Sequence, residues 1–196
     1  MNKRSFLLFL FSLIIICNSC HKTLESQLPP HTQKGANTAG CIIDGRVWIA
    51  EACIGIAIPP EQRIVGNIYY FRNYKSLKVD FQKCKFTEYS NFNLSIENFI
   101  GPGKYICDQN GYNPYIAGTN LLRTNAIFFS AGRDVNGEER YYATSEQAKG
   151  FITITRLDTL HQPNYASGIF EGVLKNCKYP NDSLVISNGR FDISYQ

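Results

Sequence analysis

The sequence predicts an all-β fold: an antiparallel β-sandwich or barrel-like single domain behind a signal peptide and a tether. Three observations predict it. Of 196 residues, 12 are Tyr and 13 are Phe while Met occurs once, a composition that suits the pleated surface of strands. Apolar and polar residues alternate in several stretches, most plainly Phe92, Leu94 and Ile96 against Asn93, Ser95 and Glu97, the period of a half-buried strand. Turn signals separate these stretches, and none carries a helical period over several turns.

In chain order, the first element lies outside that domain. Lys3 and Arg4 precede an apolar run from Phe6 to Cys17. A spanning helix needs roughly 18–20 such residues, so this shorter run reads as the apolar part of a signal peptide covering residues 1–19. Asn18-Ser19-Cys20 follows, and the stretch resembles the lipobox of bacterial lipoproteins. There a small residue precedes a Cys that is acylated and becomes the mature N-terminus. Ser19 and Cys20 fit the pattern, whereas Cys17 stands where Leu is usual. The resemblance implies lipidation of Cys20 and attachment to a membrane rather than passage through it.

Residues 20–39 then read as the lipidated Cys and a tether, because His21–Thr38 is rich in Pro, Thr, Gln, Gly and Asn, with part of it free to pack along the domain. The β-sandwich-like domain spans 40–196. It opens on apolar-rich arms around Asp44-Gly45, a dipeptide that favours a two-residue hairpin because both residues tolerate positive φ. A short strand is predicted at Cys53–Ile58, closed by Pro59-Pro60. Ile64–Tyr74 and Leu77–Gln82 form a second hairpin, and Lys104–Cys107 starts a strand after Gly101-Pro102-Gly103. Asp108–Thr124 is the longest irregular stretch. Ala126–Ala131 is a strand, Asn136-Gly137 a turn, and Thr144–Lys149 a single helical turn. Three regular strands close the chain at Phe151–Leu157, Ser167–Leu174 and Leu184–Tyr195. In the last, Phe191, Ile193 and Tyr195 face one way, with Arg190, Asp192 and Ser194 facing the other.

Charge narrows the partners. The formal net charge of +4 includes Lys3 and Arg4, so the mature chain carries 18 basic against 16 acidic residues, about +2. No Lys/Arg block marks a nucleic-acid footprint, and no nucleic-acid partner is expected. Cys41, Cys53, Cys84, Cys107 and Cys177 remain once Cys17 and Cys20 are set aside. They are candidates for disulfides, buried thiols being the other reading, and an odd count leaves at least one thiol over. They are too dispersed for a metal site, and no cofactor is predicted.

Catalytic signatures are absent from the sequence. Ser167 sits in Ala-Ser-Gly rather than Gly-x-Ser-x-Gly, and His161 is the only histidine beyond residue 31. Cys84 between Lys83 and Lys85 has a setting that lowers a thiol pKa, but strand neighbours point to the opposite face. Asp134 to Glu139 is only a fragment of a Ca²⁺-loop pattern, and a hairpin turn explains it. Tyr69-Tyr70-Phe71, Tyr112 with Tyr115, and Tyr141-Tyr142 could stack on a glycan or peptide, but adjacent strand residues face opposite ways, so one ring in the core and one on the surface is the default reading. Tyr112 and Tyr115, in the long loop, are the leading ligand-binding candidates.

Two further stretches resemble an uncharacterised lipoprotein family of Bacteroidetes-type envelopes. One is LPPHTQKGANTAGCIIDG from Leu28 to Gly45, with Ala39 where an aromatic is common. The other comprises Gly150–Asp158, Ser167–Glu171 and Ile186–Asp192. The resemblance implies a lipid-anchored β-domain and no particular activity. With a single Glu25 set back from Cys20, it points to an outer-membrane lipoprotein facing the periplasm rather than the cell surface. The expected function is a non-enzymatic binding or structural module, its partner a glycan, a peptide or an envelope protein. The alternative is an envelope hydrolase built on His161 or on paired carboxylates such as Glu138 and Glu139.

Overall fold

The computed structural model describes residues 23–52, 65–71, 75–85, 88–109, 124–133, 137–159 and 164–194. Its strands are β1 (Thr38–Ile43), β2 (Arg46–Ile49), β3 (Gly66–Phe71), β4 (Ser76–Lys85), β5 (Glu88–Ile96), β6 (Gly103–Cys107), β7 (Ala126–Arg133), β8 (Glu139–Ala143), β9 (Gly150–Asp158), β10 (Tyr165–Asn176) and β11 (Ser183–Ser194). They pair in the order β2-β1-β11-β10-β8-β7-β5-β4-β3, with β9 against β10 and β6 against β9. The sheet is antiparallel and curls into a half-barrel, so the all-β fold read from sequence is correct. Its two ends approach each other at Glu51, which forms a parallel bridge with Lys83. Among the described residues no helix is long and apolar enough to cross a membrane.

Local sequence sets the hairpins. Asp44 and Gly45 both take positive φ, 46° and 74°, which matches the twist of β1 and β2 across a two-residue turn. Asp44 Oδ1 also accepts a hydrogen bond from Val185 N at 2.8 Å, tying this turn to β11. The β3–β4 hairpin pairs Phe71 with Ser76. Thr144–Lys149 is not helical: Ser145 and Ala148 exchange backbone hydrogen bonds of 2.8 and 3.1 Å. β8 and β9 both run antiparallel to β10, at Asn176–Lys175 and then at Gly172–Tyr165, so the chain keeps its direction and 144–149 only loops out as a tight turn closed by those two bonds. The predicted strand at Cys53–Ile58 lies outside the described residues.

Aromatic side chains fill the curl. Trp48 meets Phe92 edge-on at 5.0 Å between centroids, Phe92 lies 4.5 Å from Phe129, and Phe81 lies 5.5 Å from Phe170. The Trp48 indole N–H, which needs a partner when buried, donates to Ser90 Oγ at 2.9 Å. On β10 and β11 two glycines face two of these rings. Gly168 pairs with Phe191 and Gly189 with Phe170. A Cβ on Gly168 would lie 2.7 Å from the Phe191 ring, and one on Gly189 would lie 2.8 Å from that of Phe170. The rings therefore lie flat over bare backbone, which holds the two strands and the core in one register.

β5 and β11 depart from the half-buried pattern. On β5, Asn93 and Ser95 are buried as well as Phe92 and Leu94. On β11, Arg190, Asp192 and Ser194 are buried beside Phe191 and Ile193. The cover over β11 is the segment expected to be a tether. A 3₁₀ turn at Glu25–Gln27 leads to buried Leu28, and the chain then runs along β11 before entering β1 at Thr38. The packed domain thus begins well before residue 40. The residues suited to a linker serve here to expose backbone N–H groups to a buried carboxylate.

Candidate functional site

That carboxylate, Asp192, is the most connected polar group described. Oδ2 accepts from Thr32 Oγ1 at 2.5 Å, Lys34 N at 3.2 Å and Ala36 N at 3.1 Å. Oδ1 accepts from Gly35 N at 2.9 Å and Ser167 Oγ at 2.6 Å. Burial alone would raise its pKa, but the hydrogen bonds from Ser167, Thr32, Ala36 and Gly35 outweigh it and hold the carboxyl below the usual range. Neighbouring contacts extend the clasp. Ser194 N and Oγ donate to Asn37 Oδ1 at 2.9 and 2.8 Å. The Arg190 guanidinium donates to Pro29 O at 3.2 Å and to Glu25 Oε1 at 3.3 Å. Ser167 is thus a structural hydroxyl, 1 % exposed, and not a nucleophile.

An open cleft lies elsewhere, along β3. It has a volume of about 310 Å³ and runs between Ile68–Phe71 and the facing ends of β9 and β10, where Asp158, Thr159, Asn164 and Tyr165 line it. β3 is the last strand of the sheet order. Gln82 N donates to Val65 O at 3.0 Å, which fixes the phase of the β3–β4 ladder. Hydrogen-bonded pairs alternate along an antiparallel pair, so Asn67, Tyr69 and Phe71 turn their main-chain groups to β4. Ile68 and Tyr70 turn theirs to the cleft.

Aromatic rings flank this edge. Tyr69 and Phe71 stack at 6.4 Å and 15° on one face of β3, with Lys78 Nζ 5.7 Å from the Tyr69 centroid. On the other face Tyr70 meets Phe99 edge-on at 5.8 Å. Tyr69 and Tyr70 remain 39 % and 37 % exposed. Across the cleft Arg156 lies 5.2 Å from the Tyr165 ring centroid. Asn164 Oδ1 is buried and has no hydrogen-bond partner.

A second polar spot sits on β4, where Asp80 faces Asn93 of β5 in register. Burial pushes the Asp80 carboxyl up to about 6, although Lys78 pulls it back from 3.4 Å away. Its Oδ1, like Asn93 Oδ1, is buried without a partner.

The disulfide expectation needs correction at three positions. Cys41, Cys107 and Cys177 are thiols. In the sheet Trp48 stands opposite Cys41, Gly150 stands opposite Cys107, and Cys177 N bonds Tyr141 O. Burial raises the Cys41 thiol well above its ordinary value and pushes Cys107 up to about 12 and Cys177 to about 11. Cys84 is disulfide-bonded to a partner outside the described residues.

Cys20, Cys53, Tyr112, Tyr115 and His161 also lie outside them. Glu138 is ion-paired to Lys178 at 2.9 Å, and Glu139 approaches Arg133 Nε at 3.7 Å. The first pair ties the residue before β8 to the chain after β10, and the second joins the facing ends of β7 and β8. Among the described residues no group of three or more His, Cys, Asp or Glu is placed to hold a metal ion. Tyr69-Tyr70-Phe71 carried an aromatic signal in the sequence. Asp158 and Asn164 carried none, because only the fold brings them opposite β3. Comparison with known protein families, curated proteins and solved structures yields no match.

Proposed function

We propose that this chain is a lipid-anchored cell-envelope protein whose half-barrel is a non-enzymatic binding module. Its ligand occupies the cleft between β3 and the ends of β9 and β10. The cleft carries the reading: about 310 Å³ walled by Tyr69, Tyr70, Phe71 and Tyr165, with Asn164 offering a buried, unpartnered oxygen. Concave, mostly apolar sites with a few oriented polar groups are where ligands bind. The anchor rests on Phe6–Cys20, with Cys20 as the acylated residue at the outer membrane and the domain facing the periplasm.

Two experiments test this. Fatty-acid labelling and detergent-phase partitioning are expected for the wild type and lost in Cys20→Ala; unchanged partitioning rejects the anchor. Glycan and peptide arrays probed with the protein are expected to return a ligand whose affinity falls in Tyr69→Ala and Asn164→Leu. Turnover in a hydrolase substrate screen that Asp158→Asn abolishes would replace the binding reading with the enzymatic one.

A further inference from the structure

Resting on that reading and sharpening it, we propose that the ligand is an extended peptide that adds as a strand to the edge of β3 that pairs with no described strand. Three features of the edge support a peptide. The main-chain N–H and C=O of Ile68 and Tyr70 face the cleft, as the ladder phase set by Val65 and Gln82 requires. They repeat at the two-residue spacing, roughly 7 Å, at which a neighbouring strand presents its own groups. Sheets normally shield such an edge with proline, lysine or a bulge. Gly66–Phe71 contains neither residue, and its pairing with β4 is unbroken in register.

The opposite wall supplies the complementary contact. An extended chain carries N–H groups along both edges. With one edge satisfied by Ile68 and Tyr70, the other faces the wall that Asn164 lines, whose Oδ1 is buried and lacks a donor. Side chains of the added strand alternate between the face bearing Tyr69 and Phe71 and the face bearing Tyr70. Each therefore meets an aromatic ring at cross-strand distance. Main-chain pairing provides affinity in this mode, and the rings provide selection.

The test uses the full chain in detergent micelles, immobilised and panned against phage-displayed random nonapeptides. An enriched peptide is then synthesised with each amide N-methylated in turn. Alternate N-methyl positions are expected to weaken binding about tenfold, the loss of one hydrogen bond, while the intervening ones leave it unchanged except at the single N–H that meets Asn164. Asn164→Leu is expected to weaken binding by a similar factor, with its circular dichroism spectrum as the folding control. Three results overturn the proposal: no enriched peptide, an affinity indifferent to that alternation, or a dimer that Tyr69→Lys disperses. Saccharide binding that Tyr69→Ala weakens, without any peptide, would overturn the peptide and leave the binding module standing. Failure of both ligand classes would remove the module itself.

Discussion

Asp192→Asn preserves shape while removing the charge and one acceptor oxygen, and it isolates the clasp that holds residues 32–37 on β11. The carboxylate receives five hydrogen bonds, three on Oδ2 and two on Oδ1. Asparagine keeps one oxygen. Oriented to serve Thr32, Lys34 and Ala36, it turns its NH₂ toward the Gly35 N–H and leaves that donor unpaired. An unpaired buried donor costs about 1–3 kcal/mol, and hydrogen bonds to a neutral acceptor are worth about half those to an ionised one. Solvent recovers part of the loss by wetting the loosened segment. The net expectation is a destabilisation of about 2–4 kcal/mol, a large share of the roughly 5–15 kcal/mol that holds a domain folded. Urea unfolding at pH 7 measures it, and faster trypsin cleavage after Lys34 reports the release directly. Acid supplies the sign check. Because the folded-state pKa lies below the ordinary 3.8, the stabilisation is present above that value and lost as pH falls through the lower folded value. The gap between wild type and variant is therefore expected to close below about pH 4. A change under about 0.5 kcal/mol at pH 7, the size of an ordinary surface substitution, would refute the clasp.

Gly168→Ala and Gly189→Ala each drive a methyl into a Phe ring and a carbonyl oxygen 2.3 Å away; a loss of about 2–4 kcal/mol is expected in thermal or urea unfolding. Asp80→Asn is expected to stabilise the protein at pH 7 by roughly 1–2 kcal/mol. The wild-type carboxyl, raised from 3.8 to about 6, favours folding below pH 3.8 and loses that contribution as pH rises through 6. Urea midpoints at pH 4 and 7 check this, and a variant no more stable at pH 7 would contradict it. Under native conditions Cys41 and Cys107 are expected to resist alkylation, their thiolates being disfavoured by burial. Non-reducing peptide mapping is expected to join Cys84 to Cys53. Glu51, two residues before Cys53 in sequence, hydrogen-bonds both Gln82 and Cys84; a bridge from Cys84 to any other cysteine would refute this.

Strand content and several turns were legible because they depend on neighbours in sequence. Asp44-Gly45 needed only its own φ preferences, and Phe151–Leu157 only its alternation. The two polar centres were not legible, because each depends on segments far apart in the chain. Asp192 looks like an outward strand residue until residues 32–37 lie across it, and no periodicity encodes that cover. Asn164 and Asp158 gain meaning only when the curl sets them against Tyr69–Phe71. The cysteines are illegible for the same reason: their count constrains how many can pair, but the fold decides which lie within bridging distance. Tyr112 and Tyr115 drew attention as loop aromatics, whereas the described cleft uses rings on an edge strand.

The docked segment also changes what an anchor at Cys20 would mean mechanically. Eighteen disordered residues behave as a coil with an end-to-end distance of roughly 20–25 Å, free to sweep a wide cap above the bilayer. With Glu25 paired to Arg190 and the chain packed from Leu28 onward, only a few residues separate the acyl group from the first point held on the body, and at about 3.4 Å each they reach less than about 20 Å. Such a protein rides the membrane like a moored float on a short line. So anchored, the β3 edge would stay at a nearly constant height, and a ligand would have to arrive within that thin layer rather than be fetched from the space beyond.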